Sequence, residues 1–190
     1  MLRGVSVLPV FLNLCAQRAV VVGGGAVALR RVRTLLAAEL QVTVIAPELH
    51  PDLRTLPVQL ERRPYREGDL MGARLVVVAT DRPDVNAAAA AEARRVGALV
   101  NHAADATLGE VRFPATAQRA GVQVAVGTGR ELPMLARAVA ERVAQLLPGD
   151  AQISGWVTAR EQALSLEGAG RESALQRLRD DIQAALGVPA

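Results

Sequence analysis

Residues 23–28 read Gly-Gly-Gly-Ala-Val-Ala, with glycine at 23 and 25 and a small residue at 28. A Gly-x-Gly-x-x-Ala run set between a strand and a helix is suited to a pyrophosphate. The first glycine permits the tight turn, the second lets phosphate oxygens approach the backbone, and the small residue lets helix and strand pack closely. The N–H groups of the first helical turn and the positive end of the helix dipole then face the anion. Gly23, Gly24, Gly25, Ala26 and Val27 are therefore expected to hold a dinucleotide. Such folds usually end the second strand with an acid for the ribose 2′-OH. Here that strand ends Ile45-Ala46-Pro47, and Glu48 comes one step later. Either the Glu48 carboxylate or the backbone of Ala46 and Pro47 would meet the ribose. No arginine follows at once to hold a 2′-phosphate, so NAD is expected rather than NADP.

Other polar side chains fall at strand ends. Thr80 and Asp81 follow the run Leu75–Ala79, on the side where open α/β sheets bind ligands. They equally suit the start of the helix opening at Pro83. Asn86 lies on that helix, either turned toward the ligand or exposed. Asn101, His102 and Asp105 follow the next strand, where a lone histidine is also at home as a solvated loop residue. One cysteine (Cys15) rules out a Cys-rich zinc site, and two histidines leave little material for a metal cage.

The elements that must position these groups alternate. Short apolar runs at 18–22, 41–45, 58–61, 74–80 and 98–101 read as strands. Helical spacing follows the glycines (Ala28, Val32, Leu35, Leu36) and fills 83–96. This alternation predicts a Rossmann-like, doubly wound parallel sheet over residues 1–112. A short strand at 111–114, an alternating strand at 121–127 and an amphipathic helix from Leu132 to Leu146 follow. They form a small α+β segment, 113–148. Two further helical stretches, separated by Gly168-Ala169-Gly170, make a helical domain, 149–190.

Composition narrows the classes further. The chain has 190 residues, is 51% hydrophobic, and has 22 arginines and no lysine against 19 acids, a net charge of +3. Residues 1–112 hold 14 arginines against 11 acids, and the remainder is balanced at 8 and 8. The surplus suits an anionic ligand and is too small for a nucleic-acid binder. No apolar stretch reaches the roughly 18 residues of a membrane span, and no signal-peptide pattern opens the chain, so a soluble cytoplasmic protein is expected. Without lysine there is no Schiff-base chemistry.

An ordered set of segments goes beyond the generic dinucleotide fold. These are LPVFLNL (8–14) leading into RAVVVGGGAVALRRV, VTVIAP (42–47), VVVATD with Asn86, ALVN (98–101), RFPAT (112–116) and VAVGTGRELPMLARAVAERV (124–143). Together they resemble the precorrin-2 dehydrogenase family, including the N-terminal part of siroheme synthase, over residues 5–148. The resemblance implies oxidation of precorrin-2 to sirohydrochlorin with NAD as hydride acceptor, and in some members insertion of ferrous iron. It also implies a homodimer exchanging elements after the Rossmann domain. The chain as given ends near 190, which reads as a stand-alone dehydrogenase without the methyltransferase half. The substrate is a polycarboxylate, which arginine recognises bidentately. Arg112, Arg130 and Arg137 would bind it or simply face water. In the family an Asp serves as general base three residues after the strand-ending Asn. Here that position is Ala104, and Asp105 falls one later. Asp105, aided by His102, would take over the role. Ser before the Pro of the PMLAR-like run is here Leu132. Dehydrogenase activity with weak or absent ferrochelatase activity is expected. The alternative is a non-catalytic NAD- or tetrapyrrole-binding module.

Overall fold

The computed structural model describes residues 7–129 and 132–188. Two compact units are distinguished, one of Val7–Phe113 and one taking the chain from Pro114 onward. Phe113 belongs to the first unit, and residues 114–148 and 149–190 are described together.

The first unit is a five-stranded, all-parallel sheet. Its elements are β1 (Arg18–Val22), α1 (Ala26–Ala37), β2 (Gln41–Ile45), β3 (Gln59–Glu61), β4 (Leu75–Val78), α2 (Pro83–Arg95) and β5 (Leu99–His102), in the order β3-β2-β1-β4-β5. Ala19, Val20, Val21 and Val22 are at most 1% exposed, as expected for a central parallel strand covered on both faces. Side chains alternate between two cores. Ala19, Val21, Val42, Val44 and Val77 pack with Ala28, Leu29, Val32 and Leu35 of α1. Val20, Val22, Ile45, Val76 and Val78 pack with Ala89, Ala90 and Ala93 of α2. The alanines bring α2 close to the sheet, and each buried valine contributes about 1.5–3 kcal/mol. The chain winds from β1 outward to β2 and β3, then returns to the other side for β4 and β5. The doubly wound topology is thus observed, with its switch point between β1 and β4.

The second unit holds an antiparallel hairpin, β6 (Ala115–Arg119) and β7 (Val122–Val126). It turns through Ala120 and Gly121, both at positive φ (50° and 76°), as a two-residue primed turn requires. Helices α3 (Pro133–Leu146), α4 (Asp150–Leu164) and α5 (Gly168–Leu186) follow. Ala136 and Ala140 of α3 are buried, while Leu135 and Leu146 are half exposed. Trp156 of α4 donates its indole N–H to Asp181 of α5 at 2.6 Å.

Two expectations need correction. Residues 111–114 form no strand. Val111 makes a single backbone bond to Val100, and Pro114 has no N–H to continue a ladder. The pairing begins instead at Ala115. Gly168-Ala169-Gly170 does not separate the last two helices but opens α5, and Ser165–Glu167 make the turn. Among the described residues, no helix is long and apolar enough to cross a membrane.

Candidate functional site

The site is built on the carboxyl rim of the sheet. The register pairs Val22 with Ile45 and Val78, and Val78 with His102, so β2, β1, β4 and β5 end in a row. The residue after each strand still donates to its neighbour. Gly23 N–H bonds Ile45 O (3.0 Å), Ala79 N–H bonds Val22 O (2.8 Å), Ala103 N–H bonds Val78 O (2.9 Å), and Ala46 N–H bonds Glu61 O (3.1 Å). These bonds hold the loops above the rim in fixed positions.

The three glycines have different duties there. Gly23 sits at φ +127°, and a Cβ on it would lie 2.3 Å from the Ala79 carbonyl oxygen. Gly24 would bring a Cβ within 2.0 Å of Glu48 O and 2.9 Å of Ala46 Cβ, so it is required by packing. Gly25 is exposed, and a Cβ there would meet nothing within 4 Å. It caps α1 with no side-chain partner and no acid in the first turn, and the first intrahelical bond comes from Leu29 N–H. The N–H groups of Ala26 and Val27 therefore remain open on an exposed helix start, above a fully buried Ala28. Glycine loop and helix terminus fit a dinucleotide pyrophosphate.

Beside them, Ala46 is buried beneath Gly24, whereas Pro47 and Glu48 are exposed. The Glu48 carbonyl crosses the glycine loop and its side chain faces solvent on the β2 side.

Thr80, Asp81 and Asn86 form the next part of the rim. Asn86 is 4% exposed, which excludes the solvent-facing reading. Its Nδ2 donates to Thr80 O at 3.0 Å, and its Oδ1 accepts the Thr80 N–H at 3.2 Å and hydroxyl at 2.7 Å. Thr80 Oγ1 also accepts the Arg82 N–H at 3.1 Å. Asn86 thus positions the loop, with one amide N–H and its carbonyl oxygen committed to Thr80. Helix α2 is capped by Arg82 without a side-chain cap bond, so neither Thr80 nor Asp81 is the capping residue. Asp81 is exposed.

Asn101 and His102 point to opposite faces, since Asn101 pairs with Val77 and His102 with Val78. Asn101 is 4% exposed. Its Nδ2 donates to Val111 O at 2.8 Å, and its Oδ1 is buried without a partner. His102 is 8% exposed rather than a solvated loop residue. Its Nδ1 accepts the Asp105 N–H at 3.0 Å, which leaves the proton of the neutral ring on Nε2. Asp105 is exposed, and its Oδ1 accepts both the hydroxyl (2.6 Å) and the N–H (2.8 Å) of Thr107. The Thr107 hydroxyl bond, then its N–H, hold this carboxyl below the usual carboxylate range, with His102 and Arg112 assisting against a smaller desolvation effect.

Of the arginines, Arg112 is half-buried and donates to Ala106 O at 3.4 Å. Arg137 lies on α3 of the second unit, exposed and paired with Glu141 at 2.9 Å. Arg130 lies outside the described residues. Among the described residues no cluster of three or more His, Cys, Asp or Glu is placed to hold a metal ion.

Sequence reasoning missed three residues beside this site. Glu110 bonds the Val100 N–H and Arg94, and Gly109 has no room for a Cβ. Nothing in local spacing marks them, because their partners are 7 to 16 residues away.

Comparison with known proteins agrees with this geometry. A family described as putative NAD(P)-binding matches residues 10–115. A siroheme synthase of Chromobacterium violaceum is 45% identical over 144 residues, 74% of this chain and 31% of that protein. Siroheme synthase 2 of Aeromonas hydrophila subsp. hydrophila is 39% identical over 163 residues, 82% of this chain and 34% of that protein. The chain thus spans about a third of the length of these relatives. A solved precorrin-2 dehydrogenase, SirC, has the same fold, with a TM-score of 0.71 at 24% identity over 94% of this chain and 92% of that one. The chain shares its fold with SirC and about a third of the length of siroheme synthases, and it belongs to the putative NAD(P)-binding family.

Proposed function

We propose that this protein is an NAD-dependent precorrin-2 dehydrogenase, forming sirohydrochlorin for siroheme biosynthesis in the cytoplasm. The observation that carries the reading is the shared rim. An open helix N-terminus at Gly25 and a loop bearing an ionised carboxylate at Asp105 stand on strands of the same sheet edge. Gly23–Val27 hold the pyrophosphate, and Ala46–Glu48 meet the adenosine ribose. Thr80 and Asp81, fixed by Asn86, border the nicotinamide half together with the end of β5.

When bound, NAD supplies the hydride acceptor. The substrate loses two hydrogens, one as hydride and one as a proton. Asp105 is the group that takes the proton, and His102, which accepts the Asp105 N–H through Nδ1, holds it in place. A carboxylate held below its ordinary range is a weak base. Its contribution falls toward the low end of the roughly 10²–10⁴-fold that general bases supply, and positioning supplies the rest. Arg112, Arg130 and Arg137 bind substrate carboxylates. With Ala104 at the position of the family's acid, we propose weak or absent ferrochelatase activity.

A homodimer is part of the proposal. Leu135, Val139 and Leu146 on α3 are 50%, 39% and 53% exposed, an apolar face that suits a second copy of the chain. Sedimentation equilibrium on the wild type and Val139→Asp tests it, and a monomeric wild type would refute it.

The activity is tested by anaerobic incubation with precorrin-2 and NAD. Appearance of the sirohydrochlorin spectrum with equimolar NADH supports the reading. Folded protein that binds NAD in calorimetry yet leaves precorrin-2 unchanged would instead identify a non-catalytic binding module. Rapid siroheme formation on adding ferrous iron would overturn the ferrochelatase statement.

A further inference from the structure

The loop from Asn101 to Val111 starts and ends beside the same strand. Val111 N–H donates to Val100 O at 2.9 Å, and Asn101 Nδ2 donates to Val111 O at 2.8 Å. Glu110 closes it. One carboxylate oxygen accepts the Val100 N–H at 3.1 Å, and the other accepts Arg94 Nε at 2.9 Å. Arg94 also donates through Nη2 to the Leu108 carbonyl. β5 is an edge strand, so the carboxylate meets a backbone N–H that has no neighbouring strand to bond. Gly109 lies so close that a Cβ would stand 2.8 Å from both His102 N and Val100 O. Residues 101–111 are thus a compact, self-packed loop of the Ω type. It carries His102 and Asp105, and Arg112 follows at its exit.

We propose that Glu110, together with Arg94, is a positioning residue, clamping the exit of this loop to β5 and so setting the orientation of Asp105 and His102 for the reaction. Both Glu110 oxygens and the Arg94 Nε are bonded within the clamp, so the pair acts through the loop it closes. Two contacts carry its effect into the loop: the Asp105 N–H to His102 Nδ1 at the entry, and Arg112 to the Ala106 carbonyl at the exit. Burial pushes the Glu110 carboxyl up, but the bonds from Arg94 and the backbone outweigh it and hold the group below its ordinary value. The clamp is therefore charged at neutral pH. The inference rests on the dehydrogenase reading for its kinetic part only.

The test compares wild type with Glu110→Ala, Glu110→Gln and Arg94→Ala. It measures kcat and KM with precorrin-2, NAD affinity by calorimetry, and amide hydrogen exchange over residues 103–108. Glu110→Ala is expected to lower kcat about 10- to 100-fold while NAD affinity stays within about twofold, since misplacement rather than cofactor loss is the cause. Exchange over 103–108 accelerates. Glu110→Gln recovers part of kcat, because its carbonyl still accepts the Val100 N–H. Glu110→Ala combined with Asp105→Asn is no slower than Asp105→Asn alone. Wild-type kcat in Glu110→Ala, unchanged exchange over 103–108, or additive losses in the double variant would each overturn the proposal. An inert wild type would sink the dehydrogenase reading instead, and the exchange data alone would then decide the clamp.

Discussion

Asn86 and Thr80 bond each other in both directions. The Asn86 amide donates to the Thr80 carbonyl at 3.0 Å and accepts its N–H at 3.2 Å and its hydroxyl at 2.7 Å. Replacing Asn86 by Leu leaves the Thr80 backbone groups without partners at about 1–3 kcal/mol. Asn86→Leu should lower the melting temperature and weaken NAD binding together. Asn86→Asp, which keeps only the acceptor half, should fall between. Calorimetry on folded variants checks the order, and wild-type NAD affinity in Asn86→Leu would contradict it.

The glycine loop separates folding from binding. Gly24→Ala drives a methyl into Glu48 O and Ala46 Cβ, so it should destabilise the fold by about 1–3 kcal/mol, the usual cost of overpacking. Gly25→Ala meets no protein atom within 4 Å and has φ −84°, so its stability should stay within about 0.5 kcal/mol of wild type. Its methyl intrudes instead on the pyrophosphate approach, and NAD affinity should fall at least about tenfold, roughly 1.4 kcal/mol. Thermal melts and NAD titrations on the pair would reveal the split.

Asp105 owes its low pKa first to the Thr107 hydroxyl. Thr107→Ala should raise it toward the ordinary value of about 3.9. Because the folded-state pKa is depressed, the associated stability is present above the unfolded value and is lost as pH falls through the folded one. Thr107→Ala should therefore shift that loss upward in pH. Carbon-13 NMR titration of the Asp105 carboxyl follows it directly, and an unmoved midpoint would refute the assignment of cause.

Glu48 should set cofactor choice. A carboxylate beside the ribose accepts the 2′-OH and repels a 2′-phosphate. Glu48→Arg is expected to lower the NAD over NADP preference by at least about tenfold, a difference of roughly 1.4 kcal/mol. Competition titration with both nucleotides measures it, and an unchanged ratio would assign ribose recognition to the backbone.

Much of this fold is legible in the chain. RAVVV before three glycines, and the alanine run behind Pro83, determine a buried strand, a tight glycine turn and a closely packed helix. Local sterics and side-chain period suffice for those elements. The rim residues Gly23–Val27 and Thr80–Asp81 follow from strand ends for the same reason. The shape of the edge did not follow. An apparent strand at 111–114 is a single bond to Val100 and a proline without a donor.

Tertiary structure alone decided the rest. Gly24 is required because Glu48 crosses it, and Asn86 is buried because Thr80 turns back over the helix start. The Asp105 carboxyl is held below its ordinary range because Thr107 bonds it, and Glu110 closes a loop whose partners lie on β5 and α2. Each depends on which polar groups meet when separate segments come together. Spacing along the chain determines the elements and their faces, but which group desolvates or bonds another is settled only by packing.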